Sequence, residues 1–357
     1  MRLFSTRPAI FKGSHAVGSA DIPGAARRSP VRLHSHNTRP QQAVFDSESK
    51  MQRKTSDPLY VVLACFLLLE FLVVVTLNGL SSGTPGLFLN STGDISDLYY
   101  VDIVPAGWAF SIWGLIYIWQ ALWIIYVVFN ICRSNNYGKV YLNPATVTPL
   151  FLIVYMINLV LNVAWLFTWD RQHVPVAFAI LALTAFTLYV CLWLNHRAVR
   201  QNIVQMRNHQ RVDLWLNRLL IQNGLAIYAT WCSIATLLNF SMTLQYFADV
   251  DPKTACLVAL SILTVELVLY VVLDNFIWDA YLRSTFMPYL VVIWATSSAM
   301  VNNWDSESVV SVFTAVIVGL ACAAFVFKIL MVIVRACRER NGGAGNGDGS
   351  KMAKVVA

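Results

Sequence analysis

The chain has 357 residues, of which 57% are hydrophobic and only 13% are charged. This composition excludes an ordinary soluble domain and indicates a polytopic membrane protein. The net charge of +7 does not indicate a nucleic-acid partner, because the basic residues lie in tails and loops between apolar stretches. We therefore expect the lipid bilayer to be a partner of the chain, and no nucleic acid.

The N-terminal segment 1–56 is rich in Arg and Ser, is poor in acidic residues and shows little hydrophobic periodicity. These features are typical of a disordered basic tail. An Arg-rich, acid-poor composition is also typical of a mitochondrial presequence. The sequence does not decide between these alternatives, nor whether Met1 or Met51 is the natural start.

Eight apolar stretches follow, and about 20 apolar residues suffice for a helix to cross a bilayer. The first stretch begins at Asp57-Pro58, where a capping side chain precedes a proline at the first helical position. The sequence therefore predicts an all-α bundle of about eight transmembrane helices, in which the seventh is the shortest. The predicted spans are 57–79, 105–128, 147–169, 174–194, 219–244, 254–273, 286–302 and 309–334.

The charges of the loops predict the orientation. With eight spans, 24 of the 26 Lys and Arg residues lie on one side, and only Arg171 and Lys253 lie on the other. By the positive-inside rule both termini are cytosolic, although the sequence does not indicate the organelle. The glycosylation sequon at Asn90 lies on the predicted non-cytosolic side. The acids on that side are Asp94, Asp97, Asp102, Asp170, Asp249, Asp251, Asp305 and Glu307.

The second span carries a stripe of aromatic residues. Phe110, Trp113 and Tyr117 are spaced at i, i+3 and i+7 and so share one helical face. One interpretation is packing between helices together with an aromatic belt at the membrane interface. The other interpretation is the wall of a ligand pocket.

The third and fifth spans carry similar faces. Asn162 and Trp165 share a face of the third span, and Tyr228, Trp231 and Asn239 share a face of the fifth. The alternation of the spans places all three faces in the same half of the membrane, beneath the long acidic loop 81–102. The sequence predicts an apolar cavity with a few polar groups, covered by this loop as a lid. The alternative is that these polar groups only join the helices.

Two acidic residues, Glu70 and Glu266, lie deep within predicted spans. Carboxylates in the membrane are costly and are candidates for function. We expect no Lys or Arg within the membrane to pair with them. They are candidates for proton coupling in a secondary transporter, which is the alternative functional interpretation, or they are structural acids with hydrogen bonds.

No nucleophile–base pair in a catalytic context is found, and the His and Cys residues lack the spacing of a metal site. The seven cysteines lie mostly in apolar runs, which is not typical of a disulfide framework. The sequence therefore predicts neither an enzyme nor a metal protein, and no certain cofactor.

Three motifs resemble those of the translocator protein family, also called tryptophan-rich sensory proteins or peripheral benzodiazepine receptors. PAGWAFSIWGLIY at 105–117, LNVAWLFTW at 161–169 and IYATWCSIATLLN at 227–239 are similar to its second, third and fifth helices. The stretch GDISD at 93–97 resembles a longer branch of that family.

The resemblance covers about 57–245 and implies a five-helix core and a lipophilic ligand such as a porphyrin or haem. A homodimer is also compatible with it. The residues that we predict to bind the ligand are Trp108, Phe110, Trp113, Tyr117, Asn162, Trp165, Tyr228, Trp231, Ala235 and Asn239.

The resemblance also divides the chain. We expect a tail at 1–56, the five-helix region at 57–245, three additional helices at 246–335 and a flexible tail at 336–357. Two departures from the family pattern are visible: Ile227 replaces the proline expected before Tyr228, and the residues after Asn239 lack the Tyr and Arg of the cholesterol-recognition motif. Cholesterol binding is therefore not carried over.

Overall fold

This computed structural model describes residues 57–81 and 86–344, with side chains as far as Glu339. The predicted N-terminal tail at 1–56 and the last residues, 345–357, lie outside the described residues. The C-terminal tail predicted from residue 336 is helical as far as Ala344.

The described residues form an all-α fold with one two-residue hairpin, β1 Ser134–Asn135 and β2 Gly138–Lys139. A 3₁₀ turn at Gly107–Ser111 precedes the third helix, and π-helical segments occur at Asn217–Gln222 and Leu273–Ile277. The helices are α1 Pro58–Leu80, α2 Thr92–Leu98, α3 Ile112–Cys132, α4 Pro149–Asp170, α5 Val174–Gln201, α6 Ile203–His209, α7 Arg211–Leu216, α8 Asn223–Phe247, α9 Pro252–Val272, α10 Asp279–Leu282, α11 Met287–Asn303 and α12 Val309–Ala344.

A capping side chain followed by a proline opens three of the long helices, α1, α4 and α9. Asp57, Thr148 and Asp251 each accept a hydrogen bond from the backbone N–H three residues later, at 3.4, 3.3 and 3.0 Å. This bond satisfies one of the N–H groups that a helix start leaves unpaired, and proline has no N–H to satisfy. The start of α1 at Asp57-Pro58 is therefore as the sequence predicts.

The ends of α1, α4, α8 and α11 meet at one end of the bundle, around residues 86–106. The carboxylate of Asp170, which ends α4, accepts from the backbone N–H of Leu89. Near the ends of α8 and α11, Tyr246 donates to the carbonyl of Tyr100 and Asn303 donates to that of Val104. We call this the acidic end, because it holds the eight acids from Asp94 to Glu307 named above, and we call the opposite end the basic end.

The number of membrane spans depends on whether helix α11 is counted as one. It has only 17 residues, about 25 Å at ~1.5 Å per residue. Yet it runs beside α8 from end to end: the N–H of Phe286 donates to Asn223 at the start of α8, and Asn303 lies at the acidic end. Seven other helical segments of the described chain are long and apolar enough to cross a membrane. The structure is thus an antiparallel bundle of seven such helices with α11 as an eighth, shorter one.

Helix α8 lies at the centre of the bundle. In the apolar stretch of the segment that contains it, 72% of the residues are buried, against 22–44% for the other six long segments. Its start approaches α3 closely: a Cβ on Gly224 would lie 2.7 Å from Cδ1 of Trp119. The amide of Gln120 donates to the Gly224 carbonyl at 2.7 Å. Only glycine permits this contact without moving the indole.

Candidate functional site

A cavity of about 760 Å³, which we call the chamber, lies at the acidic end of the bundle. Its walls come from α1, α3, α4 and α8, with single residues of α5 and α11. Residues from Thr92 to Gly107, including α2, cover its outer end. Ile118 of α3 lines the chamber and is 61% exposed, so this wall also reaches the face of the bundle that meets lipid.

The structure brings most of the predicted site residues to this chamber. They come from three helices that the sequence placed at one depth, so the predicted common face is present in the fold. Those that line the chamber are Phe110, Trp113, Tyr117, Trp165, Trp231, Ala235 and Asn239.

The other three predicted residues do not line the chamber. Trp108 is 52% exposed and packs edge-to-face against Trp294, with ring centroids 5.0 Å apart. Asn162 and Tyr228 are buried behind the wall, where the Asn162 amide donates to the Tyr228 hydroxyl at 3.1 Å. Asn78 donates to Asn162 at 2.8 Å. Asn162 and Tyr228 therefore join α4 to α8, and Asn162 also joins α4 to α1 through Asn78, as the packing alternative expected.

The aromatic side chains of the walls contact one another in fixed orientations. Trp231 meets Phe110 and Trp113 edge-to-face, with centroids 5.9 and 6.4 Å apart. Trp165 stacks on Trp169 at 5.6 Å across one turn of α4. Such pairs stabilise each other beyond their burial and hold the ring faces in place. The chamber is therefore lined by rigid planar surfaces.

Several polar atoms in these walls are buried and have no hydrogen-bond partner among the described residues. They are the hydroxyl of Tyr117, the indole N–H groups of Trp165 and Trp231 and the side-chain carbonyl oxygen of Asn239. The Asn239 amide nitrogen, in contrast, donates to the Ala235 carbonyl at 3.0 Å. An unpaired buried polar group costs roughly 1–3 kcal/mol, and the described residues leave this cost uncompensated at four residues that line the chamber.

The cover of the chamber is anchored to the end of α4. Asp170 accepts from the backbone N–H groups of Leu89 and Asn90 at 2.7 and 2.9 Å. The indole of Trp169 donates to the carbonyl of Thr92 at 3.2 Å. Ser91 caps α2, since its hydroxyl accepts from the N–H of Asp94. These bonds position α2 above the chamber.

The electrostatic surroundings of the chamber are negative. Asp97 lines it and is exposed, and it has no ion pair or hydrogen bond within the described part of the chain. Tyr100 also lines it; burial and the negative charge of Asp102 raise the pKa of its hydroxyl above the ordinary value. Arg171, a nearby base, pairs with Asp170.

Sequence reasoning missed seven polar residues that line the chamber: Asn78, Ser81, Thr92, Ser96, Asp97, Tyr100 and Asn302. Asn78 and Ser81 come from the end of α1, which shows no aromatic motif. A signal for Asn302 exists, because Trp294 and Asn302 repeat the spacing of Trp231 and Asn239. Trp294 donates to the Ala109 carbonyl at 3.0 Å, which attaches α11 to the start of α3.

Glu70 and Glu266 do not line the chamber. Glu70 is half-buried on α1, and one of its carboxylate oxygens has no partner among the described residues. Glu266 is exposed on the outer face of α9. The structure therefore places the two acids apart from the aromatic walls.

A charged pair that the sequence analysis did not expect lies inside the bundle. Lys328 of α12 and Asp274 in the π-helical segment after α9 form an ion pair in which both side chains are fully buried. Tyr289 donates to Asp274 at 2.7 Å, and Lys328 also donates to the Leu282 carbonyl. The sequence analysis expected no Lys or Arg within the membrane to pair with Glu70 and Glu266; Lys328 is buried inside the bundle but pairs with Asp274.

The described residues contain no group of three or more His, Cys, Asp or Glu side chains arranged to hold a metal ion. The chamber lining instead consists of aromatic rings, aliphatic side chains, hydroxyls and amides, with the single carboxylate of Asp97 among the described residues. Such a lining suits an organic molecule.

The fold and the chamber define a multi-pass α-helical membrane protein with a cavity at one end of its bundle. The profile of the TSPO-like protein family matches residues 64–329, so the chain belongs to that family. The resemblance to translocator proteins is thereby confirmed, and the match continues through α9, α11 and much of α12, beyond the predicted limit at 245. No curated protein and no solved structure matches the chain.

Proposed function

We propose that this membrane protein binds a flat, lipophilic small molecule in the chamber. Its volume of about 760 Å³ lies within the roughly 300–1,000 Å³ typical of small-molecule sites. Its lining is aromatic with a few polar groups, which is the usual composition of such sites. A tetrapyrrole, which the family resemblance implies, is one candidate because it is planar and largely apolar.

The observation that carries this proposal is the set of unpaired polar atoms in the walls. Tyr117, Trp165, Trp231 and Asn239 come from three helices and line the chamber, and each leaves a buried polar atom without a partner among the described residues. Residues that served only to join helices would bond to each other, as Asn162 and Tyr228 do. A ligand with both acceptor and donor groups would satisfy these atoms.

Binding is favoured over proton-coupled transport and over catalysis. Neither Glu70 nor Glu266 lines the chamber, so a proton bound there would have no direct contact with the ligand. Among the described residues, the lining holds no pairing of a nucleophile with a base. We therefore propose a binding protein, with sensing or translocation of the ligand as its consequence.

We also propose that the acidic end faces the non-cytosolic side and that both termini are cytosolic. The basis is the positive-inside rule together with the antiparallel course of the helices. The ligand would then be held close to the non-cytosolic surface.

Blocking the chamber tests the proposal. Ala235→Phe adds a ring to the wall, and we expect it to weaken binding at least about tenfold by excluding the ligand. The probe is the uncharged dimethyl ester of a porphyrin dicarboxylate, and the measurement is saturable quenching of tryptophan fluorescence in detergent-solubilised protein.

The matched control is Ala323→Phe, which makes the same change at an exposed position of α12 and leaves the chamber intact. We expect its quenching curve to follow that of the wild-type protein. Equal quenching in both variants would show that the porphyrin only partitions into detergent or onto the outer surface. Absence of saturable quenching in the wild type would remove a flat porphyrin as the ligand.

A further inference from the structure

The charges that line the chamber restrict the ligand. Asp97 is the one lining residue that is charged at neutral pH among the described residues, and none there is Lys, Arg or His. The four loop residues outside the description, 82–85, have the sequence SGTP and add no charge. An anionic group in the chamber would therefore meet a carboxylate and no cation from its walls.

The charges of the whole acidic end also disfavour an anionic ligand. Its connecting segments hold eight acids against two bases, Arg171 and Lys253. Arg171 is already paired with the buried Asp170, and Lys253 lies in the first turn of α9, next to Asp251. A potential of one sign raises the local concentration of ligands of the opposite sign.

The aromatic walls of the chamber also favour a positively charged ligand. The faces of tryptophan and tyrosine rings carry partial negative charge and attract organic cations within about 6 Å. Trp113, Trp165 and Trp231 belong to the lining; Trp113 and Trp231 meet edge-to-face, and Trp165 stacks on Trp169, so the rings are held in place. A carboxylate placed among these rings would lose its hydration without gaining a partner.

Asp97 lies where a charged head group can remain partly hydrated. Its side chain is exposed, and it sits in α2, which covers the outer end of the chamber. A molecule with its planar body between the tryptophans could therefore place a positive group beside this carboxylate. The unpaired state of Asp97 within the described chain leaves both of its oxygens available.

We infer that the chamber selects a flat organic cation, an aromatic amine or quaternary ammonium compound, whose charge is placed beside Asp97. This inference rests on the proposed binding function and adds the charge of the ligand. It also implies that a porphyrin with free carboxylates binds more weakly than its uncharged diester.

Three tricyclic probes of one shape test the inference: 9-aminoacridine as the cation, acridine as the uncharged compound and acridine-9-carboxylate as the anion. We expect the cation to bind about tenfold more tightly than acridine at low salt, and the anion to bind least tightly. The preference for the cation should decrease as salt is added, because Asp97 is exposed. Binding is measured by tryptophan quenching at pH 7.

Asp97→Asn should reduce the preference for the cation to about threefold or less and leave the affinity for acridine unchanged. The control is Asp249→Asn, which removes the same charge from the acidic end away from the chamber; asparagine tolerates the positive φ of 53° at that position. The inference is overturned if the anion binds as tightly as the cation, or if Asp97→Asn acts no more strongly than Asp249→Asn. If acridine binding is absent, or insensitive to Ala235→Phe, the proposed binding function itself fails.

Discussion

The Lys328–Asp274 pair shows how one residue can be misplaced by sequence reasoning. The loop-charge pattern places Lys328 with the charges of the cytosolic segment, yet its side chain lies fully buried against Asp274 in the π-helical segment after α9. A buried ion pair is weak evidence of a stability gain, because both charges lose their hydration. It does determine which residues must face each other, since either charge alone would be left buried without a partner.

We predict that Lys328→Met destabilises the protein by about 3–5 kcal/mol, because it leaves the Asp274 carboxylate buried and unpaired. The double variant Lys328→Met with Asp274→Asn should recover most of this loss, since the introduced amide is uncharged and its oxygen can still accept from the Tyr289 hydroxyl. Thermal unfolding of the detergent-solubilised protein measures both effects.

Lys253→Met is the control for this prediction, because Lys253 is exposed and its replacement should change stability by less than about 0.5 kcal/mol. A double variant that is less stable than Lys328→Met would contradict the idea that the unpaired charge causes the loss.

At the scale of elements, the cover of the chamber depends on a few hydrogen bonds to α4. Helix α2 has seven residues, so it is too short to be stable without its contacts. Asp170 binds the backbone before α2, and Trp169 binds the carbonyl of its first residue, Thr92. The cover is thus held at its N-terminal side by the helix that also supplies Trp165.

We predict that Asp170→Ala loosens the cover, because the N–H groups of Leu89 and Asn90 lose their acceptor. Amide hydrogen exchange of residues 86–98 should become at least about tenfold faster, while α8 remains protected. Ligand should also associate and dissociate faster if the cover controls access.

Asp305→Ala is the matched control, since Asp305 lies in the short α11–α12 connection and, within the described residues, its carboxylate accepts only from the nearby N–H of Glu307. Unchanged exchange at 86–98 in Asp170→Ala would show that α2 is held by other contacts.

At the scale of the whole molecule, the question is whether α11 crosses the membrane. With eight spans, Cys132 at the end of α3 and Cys337 near the end of α12 lie on the same side. With only seven, they lie on opposite sides. Both cysteines are exposed, and the other exposed ones, Cys65 and Cys322, lie within long apolar helices.

We predict that a membrane-impermeant maleimide labels Cys132 and Cys337 from the cytosolic side of sealed vesicles. A glycan at Asn90, removed by Asn90→Gln, would report the other side if the protein passes through the secretory pathway. Serine variants of each cysteine identify the labelled site. Labelling of the two cysteines from opposite sides would rule out eight spans.

Much of the fold follows from local patterns in the sequence. The starts of α1 and α4 follow from a capping residue and proline, and seven of the ten predicted site residues line the chamber because helical spacing sets their common face. Trp108, Asn162 and Tyr228 were assigned to the same site because spacing cannot distinguish the inner surface of a wall from the layer behind it.

The sequence by itself determined the membrane class, the approximate helix bounds and the family, because hydrophobicity and motif spacing are properties of contiguous residues. Only the tertiary structure decided that Asn78, Asp97 and Asn302 join the chamber, that Glu70 and Glu266 do not, and that Lys328 meets Asp274. These outcomes depend on how helices far apart in the chain rotate and pack against each other. A single helix does not specify its rotation, which is set by contacts such as the one between Gly224 and Trp119.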